Sequence, residues 1–253
     1  MSLHRIVEFY SDHCVRCRTV AELFALTDAA IREIGFDRWA MVHALWFWRP
    51  SKRLIRMDSF GEFADIFIER EYYRHDPALL ACQRINTPFA WPRIRTLIPF
   101  KRKQETILRE ACHHGLRTGL TMPVGVTGEP PGCFSFVTSK PELPSRWHCR
   151  AAALIGGDAF REARRLHGFP GRARTLPDLS PRKRQVLELT AQGKTDPEIA
   201  IILGIGEPTV RTHMSELRRL FDVYCRTQLA TAALKLGLVS FEDALPGWMD
   251  HQP

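Results

Sequence analysis

No stretch of this 253-residue chain approaches the roughly 18 consecutive apolar residues that a membrane-spanning helix needs, and the N-terminus has no signal-like apolar core. A soluble, cytoplasmic protein with no membrane partner is expected. Regular cysteine spacing is missing too: seven cysteines, an odd number, argue against a disulfide framework. Cys14 and Cys17 have the spacing of half a zinc site or a thiol redox pair, but no second pair follows. The expectation is a solvated N-terminal helix with two thiols, and neither metal nor cofactor. No internal repeat is present. His113 and His114 have no evident nucleophile partner and read as a solvated helix surface, so no catalytic residue is assigned and no enzyme is expected. A phosphorylated receiver domain would need carboxylates clustered at strand ends within about the first 120 residues. Here helices come first, and aromatic residues crowd that region.

What is present suits a modular regulator. A 45% hydrophobic composition can fill a core, and the length accommodates a ligand-sized domain plus a small one. The formal charge is +8. Residues 172–239 hold 11 basic and 7 acidic side chains, a net of +4, and the last 14 residues are −3, leaving +7 on residues 1–171. Charge supports a polyanionic partner without locating its footprint.

Breaker-rich, basic residues 167–177 read as a linker. The expected domains are 1–167, a linker 168–177, a small helical domain 178–240 and a tail 241–253. In the first, residues 20–34 read as a helix ended by Gly35, 39–48 and 53–57 as strands turned at Pro50-Ser51, and 60–73 as a helix. Asp76-Pro77 opens another helix with a cap and an N1 proline. Residues 103–114 are helical up to Gly115, and 120–126 and 133–139 are strands flanking a turn. Arg146 to Leu166 is an alanine-rich helix. Antiparallel strands covered by helices make an α+β layered domain, here an α-β-α sandwich.

The most telling motif lies at 179–238. Thr195 caps a short helix, Glu198 completes a capping box, and Gly204 ends it. A second helix starts near Gly206, with Val210, Met214, Leu217 and Phe221 on one buried stripe. Thr209, Arg211, Thr212, Ser215, Arg218 and Arg219 lie off that stripe, free to meet a major groove and its phosphates. Lys194, Thr195 and Arg226 are assigned to the same surface. Periodicity alone also allows a plain helical bundle. The segment, however, resembles the LuxR-type helix-turn-helix along its whole length, from Leu179-Ser180-Pro181-Arg182 to Leu236-Gly237-Leu238.

The N-terminal residues resemble the autoinducer-binding domain of LuxR-type quorum-sensing receptors. The matching elements, in order, are Tyr72, Asp76-Pro77, Pro88-Phe89-Ala90-Trp91 and a string from Gly115 through Gly119 and Thr121 to Pro123. The resemblance implies an acyl-homoserine lactone, or a related small amphiphile, held by Phe63, Phe67, Tyr72, Asp76, Trp91, Gly119 and Thr121. Asp76 would accept from the ligand amide, Trp91 would wall the head-group, and Thr121 would bond the acyl carbonyl. Read without the family, Asp76 is equally a helix cap and Trp91 equally core.

Two departures stand out. Phe63 and Phe67 occupy positions where the family usually has tryptophan and tyrosine. A phenylalanine cannot donate to a lactone carbonyl, and an unpaired buried carbonyl costs about 1–3 kcal/mol. The head-group is therefore either a lactone held by a rearranged contact or a different, non-lactone small molecule. In the DNA-binding half, Lys183 stands where a capping-box glutamate is usual, at a cost of about 0.3–1 kcal/mol, and Ser215 replaces a basic residue. The overall expectation is a ligand-responsive, homodimeric transcriptional regulator on a pseudo-palindromic double-stranded operator. Its dimer would form through Arg146–Leu166 and the last helix near Leu229 and Ala233. The response-regulator output protein is the weaker alternative.

Overall fold

The computed structural model describes residues 2–43, 54–126, 129, 132–169 and 177–247. The chain divides into two compact units, 1–171 and 172–253. The expected turn at Pro50-Ser51 and most of the 168–177 linker lie outside the described residues, as does all but Glu129 and Gly132 of the turn after Val126.

The first unit is built on a five-stranded antiparallel sheet in the order β2-β1-β5-β4-β3. Its strands are β1 (Arg38–His43), β2 (Ile55–Asp58), β3 (Phe89–Ala90), β4 (Thr118–Val124) and β5 (Gly132–Thr138). Side chains alternate between the two faces. Trp39, Met41, Ile55, Met57, Phe134 and Phe136 share one face with the main core. Helices α1 (Leu3–Cys14), α2 (Val20–Glu33) and α7 (Arg146–Leu166) pack there. The 21-residue α7 approaches closely because Gly156 lies over the sheet; a Cβ there would sit 2.8 Å from Phe136.

Helix α1 corrects one expectation. Ile6, Tyr10 and Cys14 form a buried stripe, and Cys17 is buried beside it. The thiols are core groups: Cys14 Sγ donates to Ser11 O and Cys17 Sγ to His13 O. Burial pushes the Cys14 thiol up to about 11, so it is not the reactive thiolate of a redox pair.

The opposite sheet face carries smaller and more polar side chains. It is covered by α3 (Glu62–Glu69), α4 (Pro77–Cys82), α5 (Ile94–Leu97) and α6 (Arg102–His113), with smaller apolar clusters between. The helix expected over 60–73 is two pieces: Arg70 ends α3, Glu71 takes the left-handed conformation (φ 51°), and Tyr72–Arg74 form a 3-10 turn.

Among the described residues the regular structure of the second unit is all helical: α8 (Pro181–Ala191), α9 (Asp196–Leu203), α10 (Glu207–Phe221), α11 (Arg226–Lys235) and a single-turn α12 (Phe241–Ala244). Residues assigned to a tail thus include α12, whose Ala244 is buried in this unit's core, and Gln192 Nε2 donates to Asp243 O. Leu229 and Ala233 are fully buried in that same core. Those two side chains therefore do not supply the dimer contact expected of them.

Candidate functional site

Between the polar sheet face and helices α3, α4 and α6 lies an apolar cavity of about 90 Å³. Its floor comes from β1 (Ala40, Val42), β2 (Arg56, Asp58) and β5 (Cys133, Ser135), and its roof includes Phe63, Phe67, Leu79, Trp91 and Ile107. A mostly apolar cavity with few polar groups is what orients a small amphiphile.

Asp76 is the first of those groups. Its carboxylate caps α4 by accepting from Leu79 N–H at 2.8 Å, while the side chain also lines the cavity. Cap and cavity contact are compatible because the carboxylate has acceptor capacity to spare. Burial pushes its pKa from 3.8 up to about 6, against the lowering effect of the Leu79 and Ala78 N–H groups.

Ser135 is the second, and the sequence reading missed it. Trp91 Nε1–H donates to Thr121 Oγ1 at 3.0 Å, and Thr121 Oγ1 lies 2.8 Å from Ser135 Oγ. Tryptophan can only donate, so Thr121 accepts from it; a hydroxyl has two lone pairs, and either Thr121 or Ser135 can donate in the bond between them. With Thr121 as that donor, the Ser135 hydroxyl keeps its proton for the cavity. Thr121, expected to contact an acyl carbonyl, is fully buried and does not line the cavity; its hydrogen-bond partner Ser135 does. The available signal was the alternation in Gly132–Thr138, where Cys133 and Ser135 interleave with Phe134 and Phe136.

Of the other expected residues, Phe63, Phe67 and Trp91 do line the cavity. Gly119 does not. It provides the surface on which the indole rests, because a Cβ there would fall 2.4 Å from Trp91. Tyr72 turns away: its hydroxyl donates to Glu110 and accepts from Arg70 Nη1 at 3.2 Å, while its ring meets Phe67 edge-on. It braces the wall.

In the second unit, Glu198 accepts from the Thr195 N–H and hydroxyl, both at 2.7 Å, and Gly204 (φ 63°) closes α9. Helix α10 buries Val210, Met214 and Leu217 and presents Thr209, Arg211, Thr212, Ser215 and Arg219 to solvent. Arg218 is half-buried, its Nε donating to Met214 O. Arg211 pairs with Glu207 one turn back, and Thr212 donates to Pro208 O. Lys183 is not left to oppose the α8 dipole: its ammonium lies 3.1 Å from Glu216 on α10. Arg226 donates to Lys194 O and Asp196, tying α11 to the start of α9. Its guanidinium, expected on the DNA-binding surface, is thus engaged within the fold.

Residues 19–163 match the autoinducer binding domain family and residues 177–233 match the luxR family of bacterial regulatory proteins. The chain is 29% identical over 233 residues to the HTH-type quorum-sensing regulator RhlR of Pseudomonas aeruginosa, covering 86% of this chain and 89% of that one. It is 27% identical over 192 residues to the quorum sensing-dependent regulator RpaR of Rhodopseudomonas palustris, covering 70% and 72%. In fold it is similar to SdiA in complex with octanoyl-rac-glycerol, with a TM-score of 0.62 at 22% identity over 94% of this chain and 97% of that one. With both matches in chain order and the first spanning more than half its length, the chain belongs to the luxR family of bacterial regulatory proteins: it is a DNA-binding transcriptional regulator with an autoinducer-binding domain.

Proposed function

We propose that the cavity takes an amphiphile with a secondary amide, of the acyl-homoserine lactone type, and that its occupancy controls operator binding by a homodimer in the cytoplasm. The observation that carries this reading is the pairing of an acceptor, Asp76, with a hydroxyl, Ser135, in a mostly apolar cavity whose other charged lining residues, Arg56 and Asp58, pair with each other. A secondary amide presents one N–H and one C=O, and matches both. The protein acts by binding and turns over no substrate. Its effector unit is 1–167, joined through 168–177 to a DNA-binding unit 178–240 that α12 extends. Thr209, Arg211, Thr212, Ser215 and Arg219 read bases and neighbouring phosphates, and Lys194 contacts backbone phosphate. A receiver domain has a parallel sheet, and the antiparallel sheet here excludes the response-regulator alternative.

The test compares N-octanoyl-homoserine lactone with its ester isostere, in which oxygen replaces the amide N–H. The amide should bind roughly ten- to a hundred-fold more tightly, because the ester leaves Asp76 unpaired. Asp76→Ala should remove that difference. Equal affinities for amide and ester in the native protein would refute the amide reading.

A second reading, a non-lactone head-group, is favoured by Phe63, which is buried against the cavity with no donor to offer. Phe63→Trp separates the two. It should tighten lactone binding about ten-fold if the lactone carbonyl lies there, and should gain nothing otherwise.

A further inference from the structure

Positive charge in the first unit is concentrated in one stretch. Residues 70–110 hold 9 basic and 4 acidic side chains, a net of +5 out of the +7 on residues 1–171. Arg70, Arg74, His75, Arg102 and Lys103 from this stretch line a second depression, of about 490 Å³, that shares Ile107 with the effector cavity. Among the described residues Glu71 is its one acidic lining residue, and it is paired with Arg74. Gln104, buried beneath, donates to His75 O at 3.1 Å and so holds α6 against the Tyr72–Arg74 turn. The depression is therefore preformed.

Its cations are only partly compensated by the protein. Arg70 is held by Glu110 and Tyr72 through Nη1, and Arg74 by Glu71 through Nη2. A guanidinium has five N–H donors, so both keep donors for an occupant. Arg102 and Lys103 stand in the first turn of α6, the end at which a helix dipole disfavours a cation. The acidic residue of that turn, Glu105, is engaged by Arg95. Lys183, in the first turn of α8, has Glu216, but among the described residues Arg102 and Lys103 pair with no carboxylate. Lys103 Nζ lies instead 3.4 Å from His75 Nε2, a second group able to carry positive charge.

We propose that this depression is a binding site for a small polyphosphate anion, either inorganic or carried by a nucleotide. Phosphate matches the set because an arginine fork gives two parallel N–H bonds to its oxygens and a lysine adds a point charge. The volume has room for several phosphate groups, and one phosphate reaches only part of the cation set. An occupant would bear on the effector cavity's wall, through the shared Ile107 and through His75, the neighbour of Asp76.

The test uses no lactone and does not depend on the effector reading. Full-length protein is titrated calorimetrically with tripolyphosphate, magnesium-free ATP and inorganic phosphate. The ionic strength is about 0.15 M, where exposed charges more than about 8 Å apart are largely screened. One tripolyphosphate should bind per chain, at least about ten-fold more tightly than inorganic phosphate. Arg102→Ala/Lys103→Ala should weaken it by at least about ten-fold. Arg16→Ala/Arg18→Ala removes the same charge from equally exposed positions and should leave it unchanged. ATP that binds at least as tightly as tripolyphosphate makes a nucleotide the source, and weaker ATP makes it inorganic polyphosphate. Failure to bind tripolyphosphate, several weak sites per chain, or equal weakening in both variants would overturn the proposal. Arg102→Ala/Lys103→Ala should also keep the native operator Kd. A ten-fold weaker operator Kd would make the cluster a duplex contact, and the proposal would fall.

Discussion

Asp76 combines two jobs whose pH dependences run in opposite directions. Its folded pKa, raised from 3.8 to about 6, means that ionisation opposes folding in the empty protein. This group favours the folded state most below pH 4. Its contribution declines as pH rises from about 4 to 6, by about 3 kcal/mol in all. Binding goes the other way, because the amide N–H is best accepted by the carboxylate. Lactone affinity should rise with pH and level off above about pH 7, and at pH 5, with about one carboxyl in eleven ionised, it should be about ten-fold weaker. Asp76→Asn keeps an acceptor and should give a flat profile in the same titration. A flat profile in the native protein would mean that Asp76 is only a cap. Gly119 makes a second prediction at this scale. Gly119→Ala drives a methyl into the indole of Trp91, and the indole must move and break its bond to Thr121. The expected loss is about 1–3 kcal/mol in urea unfolding, with a change in tryptophan fluorescence. An unchanged midpoint would show that the indole can relocate freely.

Among the elements, α9 and α11 are joined by Arg226, and this separates structural from electrostatic contributions to DNA binding. Arg226→Ala should lower the melting temperature of the helical unit and weaken all DNA sequences alike, with the salt slope intact. Lys194→Ala should leave the melting temperature alone and flatten the salt slope by about one. Were Arg226→Ala to flatten the slope at an unchanged melting temperature, Arg226 would be a phosphate contact after all. Arg211→Ala should relax preference at one base position by about 1–3 kcal/mol, read by competition among operator variants. Elements with local signals were legible in advance: the Thr195–Glu198 box, the α10 stripe, and glycine stops at Gly35, Gly115 and Gly204. The misjudgements share a cause. An apolar stripe does not say what covers it, so Leu229 and Ala233 were read as an interface when they belong to their own unit's core. The same ambiguity concealed the burial of Cys14 and Cys17. Ser135 escaped because its role depends on register: it faces Thr121 only through the pairing of β4 with β5, a contact between residues distant in sequence.

At the scale of the whole molecule, the two units have different chemistry. The first encloses a mostly apolar cavity with Asp76 and Ser135 among its few polar lining residues, and the second presents a hydroxyl- and arginine-bearing helix face. The larger share of the positive charge lies on residues 1–171 rather than on the DNA-binding unit. DNA affinity is therefore expected to rest on two recognition helices acting together more than on net charge. A recognition helix covers only a few base pairs, so operator half-sites should lie about 10 base pairs or a multiple apart. Sedimentation should show two chains per operator, and one chain per operator would refute the dimer. The central claim is that filling the cavity changes operator binding through Asp76 and Ser135. Its most direct test is the operator Kd, measured by fluorescence anisotropy with and without saturating N-octanoyl-homoserine lactone in native, Asp76→Ala and Ser135→Ala proteins. The account predicts a shift of at least about five-fold in the native protein, equivalent to about 1 kcal/mol of coupling, and little or none in either variant at the same lactone concentration. An operator Kd that ignores the lactone in the native protein, or shifts equally in all three, would contradict it.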